Sequence, residues 1–240
     1  MKPASPKHKG KAAVKKDRGV GRPPRKTMPP GRTIPLRKTA GPPRKIVWKP
    51  GTMLNPVPVV MVTCAEKGQR PNIITIAWAG TVCSDPPMLS ISVRPERHSH
   101  GIIKRTGEFV VNVPSVREIR AADTCGVVSG RDVDKFEKTG LTPAPASKVA
   151  PPIIQECPLA LECRVRKTVE LGTHTMFVAE IVAVQVSESL MTAGGRLALE
   201  KAGLAAFAHG GYYALGRKLG YYGFTVRKKR AIKKPRRPAA

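Results

Sequence analysis

The stretch from Asn72 to His100, NIITIAWAGTVCSDPPMLSISVRPERHSH, limits the fold more than any other part of the chain. Ile73 to Ala79 and Met88 to Val93 are apolar and rich in β-branched residues, and Ser84-Asp85-Pro86-Pro87 between them has turn chemistry. They predict two buried strands joined by a Pro-Pro turn. Immediately after come Arg94, Arg97, His98, Ser99 and His100, preceded on the strand by Ser92. Phosphate recognition needs charge-assisted donors, and one Arg supplies two at once. Ser99 stands where a short helix through Arg105 would begin, as its Ser cap, and a helix N-terminus favours an anion. A solvated basic turn is the plainer reading. The density of guanidinium, imidazole and hydroxyl groups within Ser92–His100 favours a phosphate site, with Arg97 and Ser99 its stronger members.

The rest of the central chain also reads mainly as strands. Val57 to Thr63 is β-branched with Pro58 near its start, Phe109 to Val113 is stopped by Pro114, Leu159 to Val169 alternates in part, and Met176 to Val186 is strongly β-branched. Helical patterns are fewer. Ser115 with Glu118 three residues on forms a capping box for a helix to about Ala122. Asp132 to Lys138 predicts another, ended by Gly140, and residues 197–206 suggest a short helical segment. Many strands at short spacing with few helices predict a mainly β fold, closed or partly closed into a barrel.

Charge divides the chain. Residues 1–50 carry 16 Lys and Arg against Asp17 alone, and residues 217–240 carry 10 with no acid. Residues 51–216 hold 17 basic and 15 acidic side chains, so the net charge of +27 belongs almost wholly to the ends. Residues 1–45, made largely of Lys, Arg, Pro, Gly and Ala, have little to bury and are expected to be a disordered basic extension. Order is expected from near Ile46-Val47-Trp48, giving a domain over 46–226 and a basic tail over 227–240. The termini are suited to non-specific attraction to nucleic acid or another polyanion, through release of counterions. Gly21-Arg22-Pro23-Pro24-Arg25-Lys26 resembles a minor-groove hook but departs from it at Pro24. The five cysteines are odd in number and have no CxxC pair, so free thiols in a reducing cytoplasm are expected. No apolar run reaches the ~20 residues that span a bilayer, which argues against a membrane partner. The DxD at Asp132 and Asp134 lacks further oxygen ligands, and no metal is expected.

Nine blocks in order resemble the flavin reductase-like family of FMN-binding split barrels, and most closely its flavoredoxin branch. They are NPVPVVMVT (55–63), NIITIAWAG (72–80), DPPMLSISVRPERHSH (85–100), GEFVVNVP (107–114), CGVVSGRDVDKF (125–136), GLTP (140–143), ECPLALEC (156–163), LGTHTMFVAEIVAV (171–184) and HGGYYALGRKLGYYGF (209–224). The resemblance implies a Greek-key split barrel, a homodimer with FMN at or near the subunit interface, and an oxidoreductase passing electrons through the flavin. NADH or NADPH, or a redox protein partner, would be the donor. No GxGxxG is present, so a nicotinamide would have to bind in the open face beside the flavin.

The resemblance also assigns residues. Thr75, Ala77, Trp78, Ala79 and Gly80 occupy the family's first flavin-contacting strand, where small residues let backbone amides approach the flavin edge and the Thr75 hydroxyl would bond ribityl or phosphate oxygens. Ser92, Arg94, Arg97, His98 and Ser99 would hold the phosphate, and Lys135 would approach it. His174 matches a catalytic histidine near the flavin or the incoming nicotinamide, but Gly172-Thr173 stands where Gly-Asp is usual, so an orienting carboxylate is missing. The His209-Gly210-Gly211-Tyr212-Tyr213 block would either shield the flavin or pack an interface.

Overall fold

The structure is a computed structural model describing residues 42–226. Two units are distinguished, with the boundary at Gly51/Thr52. In the first, the described residues 42–51 form no strand or helix. Both expected tails lie outside the described residues, except residues 42–45.

In the second unit the strands are β1 (Val57–Pro58), β2 (Val60–Cys64), β3 (Asn72–Ile76), β4 (Ala79–Ser84), β5 (Pro87–Val93), β6 (Glu108–Val113), β7 (Pro143–Ala144), β8 (Ile153–Ile154), β9 (Leu159–Leu171), β10 (His174–Val186), β11 (Ala205–Ala208) and β12 (Gly211–Ala214). The helices are α1 (His98–Thr106), α2 (Ile119–Val127) and α3 (Lys135–Thr139). Seven strands form one antiparallel sheet in the order β3-β2-β6-β9-β10-β5-β4. Its two edge strands, β3 and β4, are consecutive in sequence and joined only by Ala77 and Trp78. Laid flat, seven strands would hold those edges about 29 Å apart. A two-residue link spans roughly 10 Å at most. The sheet must therefore curl until its edges meet, which makes it a barrel. At the seam the Ser92 amide donates to the Trp78 carbonyl at 2.9 Å, while β3 and β5 share no ladder. That unladdered seam is the split.

Apolar residues fill both faces of β2. Val60, Val62 and Cys64 join Ile74, Ile91, Val93, Phe109 and Phe177 in the barrel core, which Ile102 and Ile103 of α1 complete. Val59 and Met61 point the other way, into a second core with Ile73, Ala122 and Cys125 of α2 and Phe136 of α3. The mainly β fold and the barrel are as the sequence implied. Several boundaries differ. The expected Ile73–Ala79 strand stops at Ile76, and Ala79–Ser84 pairs instead with β5 as a hairpin. Val57–Thr63 breaks at Val59, because Val57 and Pro58 pair with β11 in a separate small sheet. The capping box at Ser115 and Glu118 forms, first on a single 3₁₀ turn, and the helix then runs on to Val127. Asp134 caps α3 by accepting from Phe136 and Glu137, so that helix starts later than expected. Residues 197–206 divide into one 3₁₀ turn and β11.

Candidate functional site

Two concavities lie on either side of β3 and meet at Arg97. The first, about 290 Å³, is enclosed by Asn72 and Ile74 of β3, the 96–99 segment entering α1, the end of α2 around Cys125, the 128–131 loop, and Lys135. The second, about 240 Å³, is the split itself, lined by Ile74 to Trp78, Ser92 to Arg94, Arg97 and His174.

The first concavity is lined by basic and polar groups and held by buried bonds. Lys135 is only 4% exposed. Its ammonium donates to the Ile73 carbonyl at 2.6 Å and the Cys125 carbonyl at 2.8 Å, so two of three protons are spent and the charge is fixed in place. Burial pulls its pKa down, and Arg97 adds to that. Asn72 donates to the Ser99 hydroxyl at 2.6 Å, and that hydroxyl in turn contacts the Cys64 thiol. Burial raises the Cys64 thiol to about 11 and the Cys125 thiol to about 11, so the sulfurs behind the pocket are neutral. Gly130 is required where the 128–131 loop crosses Asn72: a Cβ there would lie 1.9 Å from Asn72 Oδ1. The loop is further tied by Arg70, which donates to the Gly130 carbonyl at 3.3 Å, and by Arg131, which donates to the Glu96 carbonyl at 3.1 Å. His98 and Ser99 occupy the first turn of α1, where backbone amides lack helical acceptors and the dipole is positive.

Several sequence expectations are corrected here. Ser99 is not the helix cap. Arg97 is, without a side-chain bond, and the Ser99 hydroxyl is occupied within the fold, leaving its amide to face an anion. The Thr75 hydroxyl donates to the Ala122 carbonyl at 2.5 Å, so its proton is not offered to the cleft. Ala79 and Gly80 line an apolar depression with Val60, Leu89 and Leu161, a different one from the cleft that Thr75 and Trp78 line. Arg97, His98, Ser99 and Lys135 come together in the pocket. Thr75, Ala77, Trp78, Ser92, Arg94, Arg97 and His174 come together in the cleft.

The cleft is more loosely held. Arg94 pairs with Glu96 at 3.1 Å, both side chains at least half exposed. His174 begins β10, and its Nδ1 lies 2.9 Å from the Thr173 hydroxyl, so a neutral hydroxyl occupies the position of the missing carboxylate. His100, by contrast, is buried against Phe177 and bonds Thr175 at 2.9 Å. The His209-Gly210 pair forms the two-residue turn of the β11–β12 hairpin, with φ of 49° and 76°, as a primed turn demands. Tyr212 then points inward, edge-on to Phe207, and donates to Asp123 at 3.0 Å beside a small apolar pocket that also touches Thr75 and Ala77. Tyr213 is exposed.

Asn72, Ser129, Gly130 and Arg131 escaped the sequence reading as pocket residues. Ser129-Gly130-Arg131 reads locally as a loop leading to a capped helix, and only its crossing over Asn72 makes it a pocket wall. Among the described residues no cluster of three or more metal-ligating side chains occurs, all five cysteines are free, and no helix is long and apolar enough to cross a membrane.

Comparison with known proteins agrees with this architecture. A family model described as the flavin reductase like domain matches residues 53–216. The flavoredoxin of Desulfovibrio vulgaris (Miyazaki F) superposes with a TM-score of 0.71 at 34% identity, covering 77% of this chain and 100% of that one. A flavoredoxin from Methanosarcina acetivorans gives 0.70 at 29%, with the same coverage. An uncharacterized protein of Archaeoglobus fulgidus is 40% identical over 116 residues, which is 48% of this chain and 66% of that protein, just short of two-thirds of its length. On the extent of these matches, the chain belongs to the flavin reductase-like family.

Proposed function

We propose that this chain is an FMN-dependent oxidoreductase of the flavin reductase and flavoredoxin type. The observation that carries the reading is the convergence of Lys135, Arg97, His98, Arg131 and the α1 N-terminus on one pocket that opens, through Arg97, onto the cleft at the barrel seam. This donor set fits a phosphate monoester. Lys135 has one proton left to give, and among the described residues neither Arg97 nor Arg131 forms an ion pair with a carboxylate. The adjoining cleft is apolar on its β3 side and has the small Ala77 beside Trp78, which suits a planar ring. Bound flavin supplies the electron-accepting and electron-donating ring that side chains lack.

The protein's own groups do the rest. Lys135 and the first turn of α1 fix the phosphate end. Arg97 bridges the phosphate end and the ring end. Trp78 shields the cleft from one side. His174 stands at the cleft wall, in reach of whatever enters beside the ring, with Thr173 setting its rotamer. The electron donor is a reduced nicotinamide bound in the open cleft, or a redox protein docked over it. Exposed Trp78 and Val127 near the groove suit a second copy of the chain in a homodimer. The test is the visible spectrum of the purified protein after a high-salt wash, titrated with FMN and with riboflavin, then with anaerobic NADH. Tight FMN binding, weaker riboflavin binding and bleaching by NADH are expected. Failure to take up either flavin overturns the reading.

A second reading rests on the charge division of the sequence: a near-neutral body between strongly basic ends suits a protein that also associates with nucleic acid through those ends. It predicts binding that falls steeply with salt and is indifferent to whether FMN is bound.

A further inference from the structure

His98 is the first residue of α1, and its half-buried ring lines the anion pocket. Cations approach it from every side. Arg97 precedes it on the entering segment, and Arg131 comes from the 128–131 loop. Lys135 comes from α3, Arg70 from the turn before β3, and Arg105 from farther along α1. The acids nearby are engaged elsewhere: Glu96 with Arg94, Asp134 with the α3 amides and Arg70, and Glu66 with Arg105. The Cys125 thiol of α2, raised to about 11, stays neutral. Burial first, then Arg131, Lys135, Arg70 and Arg105, hold His98 below the usual histidine range. The ring is therefore neutral in the empty pocket at neutral pH.

A phosphate monoester near neutrality carries close to two negative charges. Placed among these same groups it reverses the field at His98, since an opposite charge within a few ångströms favours the protonated imidazole by roughly one to three pH units. We propose that binding of a phosphate ester in this pocket protonates His98, so that the cofactor is captured together with a proton and is held more tightly as pH falls toward the acid side of neutrality. The inference rests on the phosphate-pocket reading above and adds a role for His98 as a proton-carrying ligand.

The sign follows from linkage. A site that gains a proton on binding loses affinity as pH rises through the bound-state pKa of His98. The gain is complete once pH has fallen below the free-state pKa. The ester's own second ionisation, at about 6, works in the opposite direction and weakens binding below that point. Affinity should therefore peak near or slightly below neutrality and fall, by up to tenfold per pH unit, on the alkaline side.

The test is isothermal titration calorimetry of FMN into the flavin-stripped full-length protein at pH 7, in several phosphate-free buffers of different ionisation enthalpy. The dependence of the apparent heat on the buffer gives the number of protons taken up. Net uptake of a fraction of a proton, up to one, is expected with FMN and none with riboflavin. In His98→Gln the uptake should vanish while FMN still binds, about 3- to 30-fold more weakly. Zero uptake in the unaltered protein, or uptake that persists in His98→Gln, overturns the inference. Equal binding of FMN and riboflavin would instead overturn the phosphate-pocket reading beneath it. A thermal melt of the variant by circular dichroism separates loss of fold from loss of protonation.

Discussion

The anion pocket and the cleft share Arg97 and one strand, β3, yet they are built differently. In the pocket the key groups are fixed before any ligand arrives. Lys135 is held by two carbonyls, Asn72 by Ser99, and the 128–131 loop by Arg70 and Arg131. In the cleft the polar groups are tied by contacts that solvent can replace. The Arg94–Glu96 pair is half exposed, and an exposed pair contributes at most about 1 kcal/mol. Among the described residues, the His174 side chain hydrogen-bonds only its neighbour Thr173. A preformed anion site loses little entropy when a ligand binds, so it suits a group that stays. An open cleft with replaceable contacts suits molecules that come and go. Under the proposed function, one end of the site is thus an anchor and the other an exchange surface.

The largest effect that would sharpen this contrast is expected from Lys135→Met. It removes the fixed ammonium and leaves the Ile73 and Cys125 carbonyls without their donor, a loss of about 1–3 kcal/mol for each buried acceptor. The orphaned carbonyls should lower the melting temperature, and loss of the one charged bond left for the ligand should lower FMN affinity about 10- to 150-fold, with riboflavin affected far less. Equal losses for the two flavins would mean that Lys135 supports the fold and not the phosphate. Arg97→Ala comes next. It should weaken FMN by about 1.5–3 kcal/mol, the scale of a charged hydrogen bond, without a comparable loss of stability because Arg97 is exposed. Equilibrium titration followed by flavin fluorescence would measure it, and an unchanged dissociation constant would remove Arg97 from the site.

The difference between the two ends also explains what the sequence revealed. The barrel was legible because strand periodicity and turn chemistry are local, and because nine blocks keep a family order. Arg97, His98 and Lys135 were legible as charged residues near a predicted helix start. Ser99 was expected to cap α1, but Arg97 holds that position and the Ser99 hydroxyl is claimed by Asn72, 27 positions away in sequence. The Thr75 hydroxyl proton, in the same way, goes to a distant acceptor, the Ala122 carbonyl of α2. Ala79 and Gly80 were grouped with Thr75 because they are close in sequence, but they begin the β4–β5 hairpin and line a different depression. Gly130 could not be read at all, because its importance comes from crossing Asn72 in three dimensions.

Gly130→Ala should have an intermediate effect. The new methyl would sit 1.9 Å from Asn72 Oδ1 and 2.5 Å from its Cγ, and Asn72 cannot swing aside without releasing Ser99. Overpacking of this kind costs about 1–3 kcal/mol, and part of it should appear as FMN affinity lowered roughly tenfold through displacement of the loop bearing Arg131. Adding Asn72→Ala to the same chain removes the clash and should recover part of the binding. Additive losses in the double variant would show that the two positions are not coupled.

The smallest change in cofactor affinity is expected at the cleft. His174→Ala and Arg94→Ala should each alter the FMN dissociation constant by less than about threefold, because neither belongs to the buried network and the Arg94 pair is exposed. Their effect should lie in turnover instead. With NADH as donor, His174→Ala should lower the rate of flavin reduction, and Arg94→Ala should raise the donor's apparent KM with little change in kcat. Stopped-flow reduction at several NADH concentrations separates the two. If Arg94→Ala instead releases FMN as strongly as Arg97→Ala, the anchor extends across β3 into the cleft. The contrast between a fixed end and an exchanging end would then be wrong at the residue where it is most exposed to test.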